Sequence, residues 1–262
     1  MTDLPPDSER FDRNQPGAWL ADLRAAVAFL TRIPVRNGGG DLARATRLFP
    51  VVGALVGLAG GIGYAVAIEL ALPRMLAATI AIGITLLVTG ALHEDGFADS
   101  ADGFGGGRDE TSRLALMRDS RTGAFGALAL GFSLLARVTA LAALGAGAGV
   151  AALIAAHALA RGALPAAMAR GRLAREDGLA AAAGRPREGD ALIAILLGAI
   201  VAFFALGFGA GLVAILATAA VTILAMRFAR ARIGGYTGDV LGMVEQLAEI
   251  AVLAVAASAL AW

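Results

Sequence analysis

The feature that most constrains this chain is the length and spacing of its apolar blocks. Within 262 residues, near-continuous hydrophobic runs fall at roughly 50–72, 75–92, 123–145, 149–169, 191–208, 210–228 and 240–262. Each is close to the roughly 17–25 residues a helix needs to cross a bilayer. In lipid every backbone N–H and C=O must be satisfied within the protein, so such runs fold as helices. Hydrophobic residues make up 58% of the chain, above the about 45–50% of soluble domains. The expected fold is an all-α integral membrane protein with about seven transmembrane helices.

Arginine supplies every basic side chain, and its distribution predicts orientation. The first 49 residues and the segments 93–122, 170–190 and 229–239 are arginine-rich, whereas the turns near 73–74, 146–148 and 209 hold one arginine between them. The positive-inside rule then expects a cytoplasmic N-terminus, cytoplasmic polar loops and an external C-terminus. Residues 1–17 read as a polar tail without the apolar core of a secretory leader. Residues 18–33 read as an amphipathic helix, with Leu20, Leu23, Val27 and Leu30 on one face, lying against membrane lipid at the interface. Gly38-Gly39-Gly40 reads as a flexible joint, and 18–262 as a single polytopic domain. Gly53, Gly57 and Gly61 recur every four residues, a spacing that lets helices approach closely. Glycine-rich faces of this kind also suit a homo-oligomer. A net charge of +1 gives no reason to expect nucleic acid as a partner, and the absence of cysteine excludes disulfides and thiolate metal sites.

The chemistry concentrates in 93–122, expected as a cytoplasmic catalytic loop. Asp95, Asp99 and Asp102 are spaced by four and three, which puts three carboxylates on one face of a helix. Like charges so stacked become tolerable around a cation, and Mg²⁺ is the hard ion that uses one or two carboxylates together with substrate phosphates. All three aspartates are therefore candidate metal ligands and catalytic residues, and His93 is a candidate general base. A glycine run at 105–107 precedes Arg108, Arg113, Arg118, Asp119 and Arg121. Guanidinium forks match phosphate oxygens, so Arg113, Arg118 and Arg121, with Asp119 beside them, are candidate substrate-binding residues. A second polar patch spans 234–242 and contains Asp239; Glu245 and Glu249 follow one turn apart in the last apolar run. Asp239 and Glu245 are further substrate-binding candidates. Arg137 and Arg161 lie inside apolar runs, where ionisable groups face the bundle interior; pairing with these glutamates is one use for them.

The patterns His93-x-Asp95-Gly-x-x-Asp99-x-x-Asp102-Gly, Arg118-Asp-Ser-Arg-x-Gly and Thr237-Gly-Asp-x-Leu-Gly resemble those of the cobalamin synthase, or adenosylcobinamide-GDP ribazoletransferase, family. Thr31-Arg-Ile-Pro-Val, Phe49-Pro-Val-Val-Gly and Ala174-Arg-Glu-Asp-Gly-Leu are similar to that family's opening and central loop, so the likeness covers about residues 25–255. The resemblance implies a Mg²⁺-requiring transferase of the bacterial cytoplasmic membrane. It would join adenosylcobinamide-GDP to α-ribazole or its 5′-phosphate and release GMP, completing adenosylcobalamin or its phosphate. Two other classes stay open. CDP-alcohol phosphatidyltransferases also place aspartates at a membrane interface, but with wider spacing. A cation-coupled transporter would carry its charges nearer mid-membrane.

Overall fold

The computed structural model describes residues 16–35 and 41–260, and its regular elements are helices. The polar tail up to residue 15 and the Gly38–Gly40 joint lie outside the described residues. The order is α1 (Pro16–Leu30), α2 (Leu42–Ala45), a 3-10 turn (Thr46–Leu48), α3 (Phe49–Glu69), α4 (Arg74–Thr89), α5 (Leu92–Gly106) and α6 (Glu110–Leu116). It continues with α7 (Ala124–Ala142), α8 (Ala146–Arg170), α9 (Leu179–Ala183), α10 (Glu188–Ile233) and α11 (Gly238–Leu260).

Among the described residues, five helices are long and apolar enough to cross a membrane: Leu42–Glu69, α7, α8, α10 and α11. The pair α4 and α5, bent by 92°, passes the same test only when taken together, giving up to six. The longest element is not one straight rod. Gly207 sits at φ 75°, which breaks the ladder of α10. Phe203 and Phe208 stack at 5.4 Å across this point, and Gly211 comes back against the carbonyl of Ala202. A continuous helix would hold residues 202 and 211 about 13 Å apart. The two arms of α10 therefore fold back on each other, close to the turn expected near 209.

Side chains are distributed as lipid requires. Alanine and glycine fill the interior, while Leu87, Phe132, Phe204 and Phe208 point outward with 79%, 72%, 89% and 75% of their surface exposed. Without a hydrophobic drive between helices in lipid, close backbone contact supplies cohesion. The glycine stripe of α3 does this. Gly53, Gly57 and Gly61 lie against His157, Leu153 and Val150 of α8, and a Cβ at Gly53 or Gly57 would run into the α8 backbone.

The N-terminal helix docks differently from its leucine pattern. Leu20 is half exposed, whereas Asp22 is fully buried and receives Arg44 Nε at 2.9 Å and Arg47 Nη2 at 2.7 Å. Arg47 also lies 3.6 Å over the Trp19 ring. A buried carboxylate is tolerated only with such partners, so an ion pair fixes α1 to the bundle.

The arginine-rich segments meet at one end. Arg113 Nη1 donates to the Arg232 carbonyl, Arg118 pairs with Asp177, and the Tyr236 N–H donates to the Arg172 carbonyl. The opposite end is closed by Tyr64, whose hydroxyl lies 2.9 and 2.8 Å from the Leu141 and Leu144 carbonyls.

Candidate active site

The segment expected as a loop is mostly helix. Gly90 and Ala91 adopt φ of 67° and 55°, so the chain leaves α4 through two left-handed residues and α5 sets off nearly at right angles. Asp109 caps α6 in a reciprocal box: its carboxylate accepts from the Ser112 N–H at 2.8 Å and the Ser112 hydroxyl accepts from the Asp109 N–H at 3.0 Å. With Glu94, Asp95, Asp99 and Asp102 in fifteen residues, α5 is not itself a spanning helix.

Two glycines decide what α5 touches. A Cβ on Gly96 would come within 2.9 Å of the Asp239 Cα, and one on Gly242 within 2.8 Å of the His93 carbonyl. The backbones of α5 and α11 therefore meet, which carries the start of α11 to the aspartate face of α5. Thr237 caps α11, its hydroxyl accepting from the Val240 N–H at 3.3 Å and donating to Asp239 at 3.0 Å. Arg175, from the segment between α8 and α9, donates to Asp239 at 3.2 Å. Its Nε and Nη1 are buried without a hydrogen-bond partner. The side chain of Asp99 lies among these groups. Burial, followed by the charges of Asp95, Asp239 and Asp102, pushes its carboxyl up to about 7. Asp95, Asp99 and Asp239 with Arg175 leave the cluster short of positive charge.

The sequence candidates divide. Asp95 is exposed and Asp99 half-buried, both toward Asp239. Asp102 departs from the expected trio. Its two oxygens accept from the N–H groups of Gly123 and Gly126 at 2.7 and 2.9 Å, satisfying the open N-terminus of α7. His93 departs too. It lies about 200° round the helix from Asp95, on the bundle side, with Nδ1 3.6 Å from Glu245 and 3.4 Å from Arg161. Arg113 bonds the carbonyls of Arg108 and Arg232. Arg118 pairs with Asp177, which lies 3.6 Å from Arg175 Nε, so charges alternate from Arg118 to Asp239. Arg121 bonds Asp119 at 2.7 Å and holds its carboxyl down to about 2.

Behind α5 lies a buried polar network that the sequence only partly exposes. Arg137 reaches Glu94 at 2.9 Å and Glu249 at 3.1 Å; Arg161 contacts Glu245 and reaches Glu249 at 2.8 Å. His157 contacts Glu249, and Gln246 links Ser133, Glu94 and Glu245. The pairing of these arginines with the glutamates is thus present; the parts taken by Glu94, His157 and Gln246 were not legible. One signal existed, the spacing of His157 and Arg161 by one turn in an apolar run. Arg175 sits in the Ala174-Arg-Glu-Asp-Gly-Leu stretch, but nothing local marked its partner, which is 64 positions away. Among the described residues, the group of acids and histidine whose ligand atoms lie within 4.8 Å of one another is His157, Glu245 and Glu249. Arg161 already supplies the positive charge there.

These features define a helical membrane protein with transmembrane helices and a carboxylate–arginine site at its arginine-rich end. The cobalamin-5-phosphate synthase family model matches residues 22–257, and the chain belongs to that family. It is 46% identical over 244 residues to the adenosylcobinamide-GDP ribazoletransferase of Bradyrhizobium diazoefficiens, covering 91% of this chain and 94% of that one. Proteins of the same name from Azorhizobium caulinodans and Ralstonia nicotianae are 44% and 43% identical, covering 89% and 88% of this chain and 94% and 92% of theirs. No solved structure matches the chain.

Proposed function

We propose that this chain joins adenosylcobinamide-GDP to α-ribazole or its 5′-phosphate and releases GMP, at the inner membrane of a bacterium. Family membership and the names of its relatives give the substrate class. The observation that carries the reading to particular residues is Arg175, whose Nε and Nη1 are buried without a hydrogen bond beside a cluster of carboxylates. Orphan guanidinium donors next to acids suit a diphosphate that arrives with a divalent cation.

The donor set fits Mg²⁺: Asp95, Asp99 and Asp239 are hard oxygen ligands, gathered with Arg175, among the described residues the one guanidinium bonded to the group. When bound, Mg²⁺ would neutralise diphosphate charge. Arg175 orients the diphosphate through Nε and Nη1, neither of which is hydrogen-bonded. Arg118 and Arg121, released from Asp177 and Asp119, balance the departing GMP. The ribose 3′-hydroxyl attacks the phosphorus nearer the corrinoid, the bond to the GMP oxygen breaks, and a carboxylate of the trio takes the hydroxyl proton. Asp102 and His93 act as positioning residues, one fixing α7 and the other seating α5 on the buried network.

For topology we infer seven crossings: α3, α4, α7, α8, the two arms of α10, and α11. The arginine bias then makes the N-terminus and the acidic site cytoplasmic and the C-terminus external, with α1 at the interface. The decisive assay is GMP release from adenosylcobinamide-GDP by purified protein in nanodiscs, with and without acceptor and Mg²⁺. Release that needs both is expected; CMP release from a CDP-alcohol instead would refute the reading.

A further inference from the structure

A cavity of about 960 Å³ lies between α8 and the two arms of α10, apart from the acidic site. Its walls are small and apolar, with Gly162, Ala163, Gly198, Ala199 and Ala219 leaving the space open. Two hydroxyls in this lining, Thr218 Oγ1 and Thr222 Oγ1, are buried and have no hydrogen-bond partner. That is unusual for this chain, because Thr79, Thr89 and Thr139 each bond a carbonyl one turn back, as helical threonines in lipid do. Thr218 is only 4% exposed, so an unmade hydrogen bond there costs free energy until something supplies it.

The lining also holds Arg170, Arg172, Arg227 and Arg230. Among the described residues none of the four has a carboxylate within 4.0 Å. An apolar slot with idle hydroxyls and unpaired guanidiniums recognises a flat apolar group joined to a phosphate. Leu173 and Tyr236, which pair in an isolated backbone bridge, line the end of the cavity nearest the acidic site in sequence. Arg172 and Tyr236 line the cavity, whereas Arg175 and Asp239, three residues further along each strand of the bridge, belong to the acidic site.

We propose that this cavity is the seat of the acceptor nucleotide, an inference that rests on the transferase reading above. The aromatic base enters the slot, its 5′-phosphate meets the four arginines, and the ribose 3′-hydroxyl faces the acidic site across the bridge. A volume within the about 300–1,000 Å³ of small-molecule sites suits a nucleoside phosphate. The corrinoid donor, a macrocycle with an appended nucleotide, is too large for it.

The test uses purified full-length protein in nanodiscs. Ala219→Phe fills the slot from an exposed position, and a double Arg227→Gln/Arg230→Gln variant removes two rim charges. The double variant should raise the KM for ribazole 5′-phosphate about tenfold and leave those for unphosphorylated ribazole and the donor unchanged. Ala219→Phe should raise the KM for both acceptors and not for the donor. A change in donor KM alone overturns the proposal. So does loss of co-purifying phospholipid with unchanged acceptor KM, which would make the cavity a lipid seat. Equilibrium dialysis of ribazole 5′-phosphate against wild type and Ala219→Phe keeps the two readings apart. Equal binding by the two proteins overturns the seat even if GMP is released. Weaker binding by the variant supports the seat even if it is not.

Discussion

Asp99 offers a quantitative handle on the acidic site. Its folded carboxyl is pushed up to about 7 from an ordinary 3.8 by burial and by Asp95, Asp239 and Asp102. Between those values the folded protein holds a proton that the unfolded chain has released. Stability from this group is therefore complete below about pH 4 and is lost as pH rises through about 7. A gap of about three units corresponds to about 4 kcal/mol without screening. The side chain is only half-buried, and solvent screening reduces this to about 1–2 kcal/mol. At about 2–4 °C per kcal/mol for a chain of this size, apparent Tm should fall by a few degrees between pH 5 and pH 8 without divalent ions. Mg²⁺ should restore those degrees at pH 8 and add little at pH 5. Asp99→Asn should flatten the pH dependence and blunt the Mg²⁺ shift. Differential scanning fluorimetry of protein in detergent, with EDTA or Mg²⁺, reads all of this. A wild-type Tm that is flat across the range, or an equal Mg²⁺ shift in Asp99→Asn, would refute the reasoning.

Three other perturbations separate structural from chemical roles. Arg161→Met leaves the buried Glu245 without its arginine, while Glu249 keeps Arg137 and His157, and should cost about 3–5 kcal/mol, seen as loss of the monodisperse peak in size-exclusion chromatography. Asp102→Ala uncaps α7 and should cost about 1–2 kcal/mol in thermal stability; unchanged stability with lost Mg²⁺ dependence would instead make Asp102 a metal ligand. Because the chain has no cysteine, single introduced thiols report topology cleanly. A thiol at Phe208→Cys should react with an impermeant maleimide on intact cells and one at Ser120→Cys only after permeabilisation; the reverse pattern would invert the proposed orientation.

Much of this protein is set by local pattern. The apolar runs mark the long helices to within a few residues, because the cost of bare backbone in lipid leaves no other fold. Gly53, Gly57 and Gly61 foretell a tight helix contact, since spacing by four puts them on one stripe. Asp95, Asp99 and Asp102 announce an acidic helix face for the same reason. Local pattern could not say which groups meet across the bundle. Asp102 turns to α7 because Gly123 and Gly126 leave room and two open N–H groups there. His93 turns to Glu245 because Gly96 and Gly242 press its helix against α11. Arg175 joins Asp239 from 64 residues away. Sequence alone determined the helices, their polar faces and the family. Tertiary structure decided which carboxylates remain available to a cation and which are consumed by the fold, because hydrogen-bond partners are assigned by proximity in space and not along the chain.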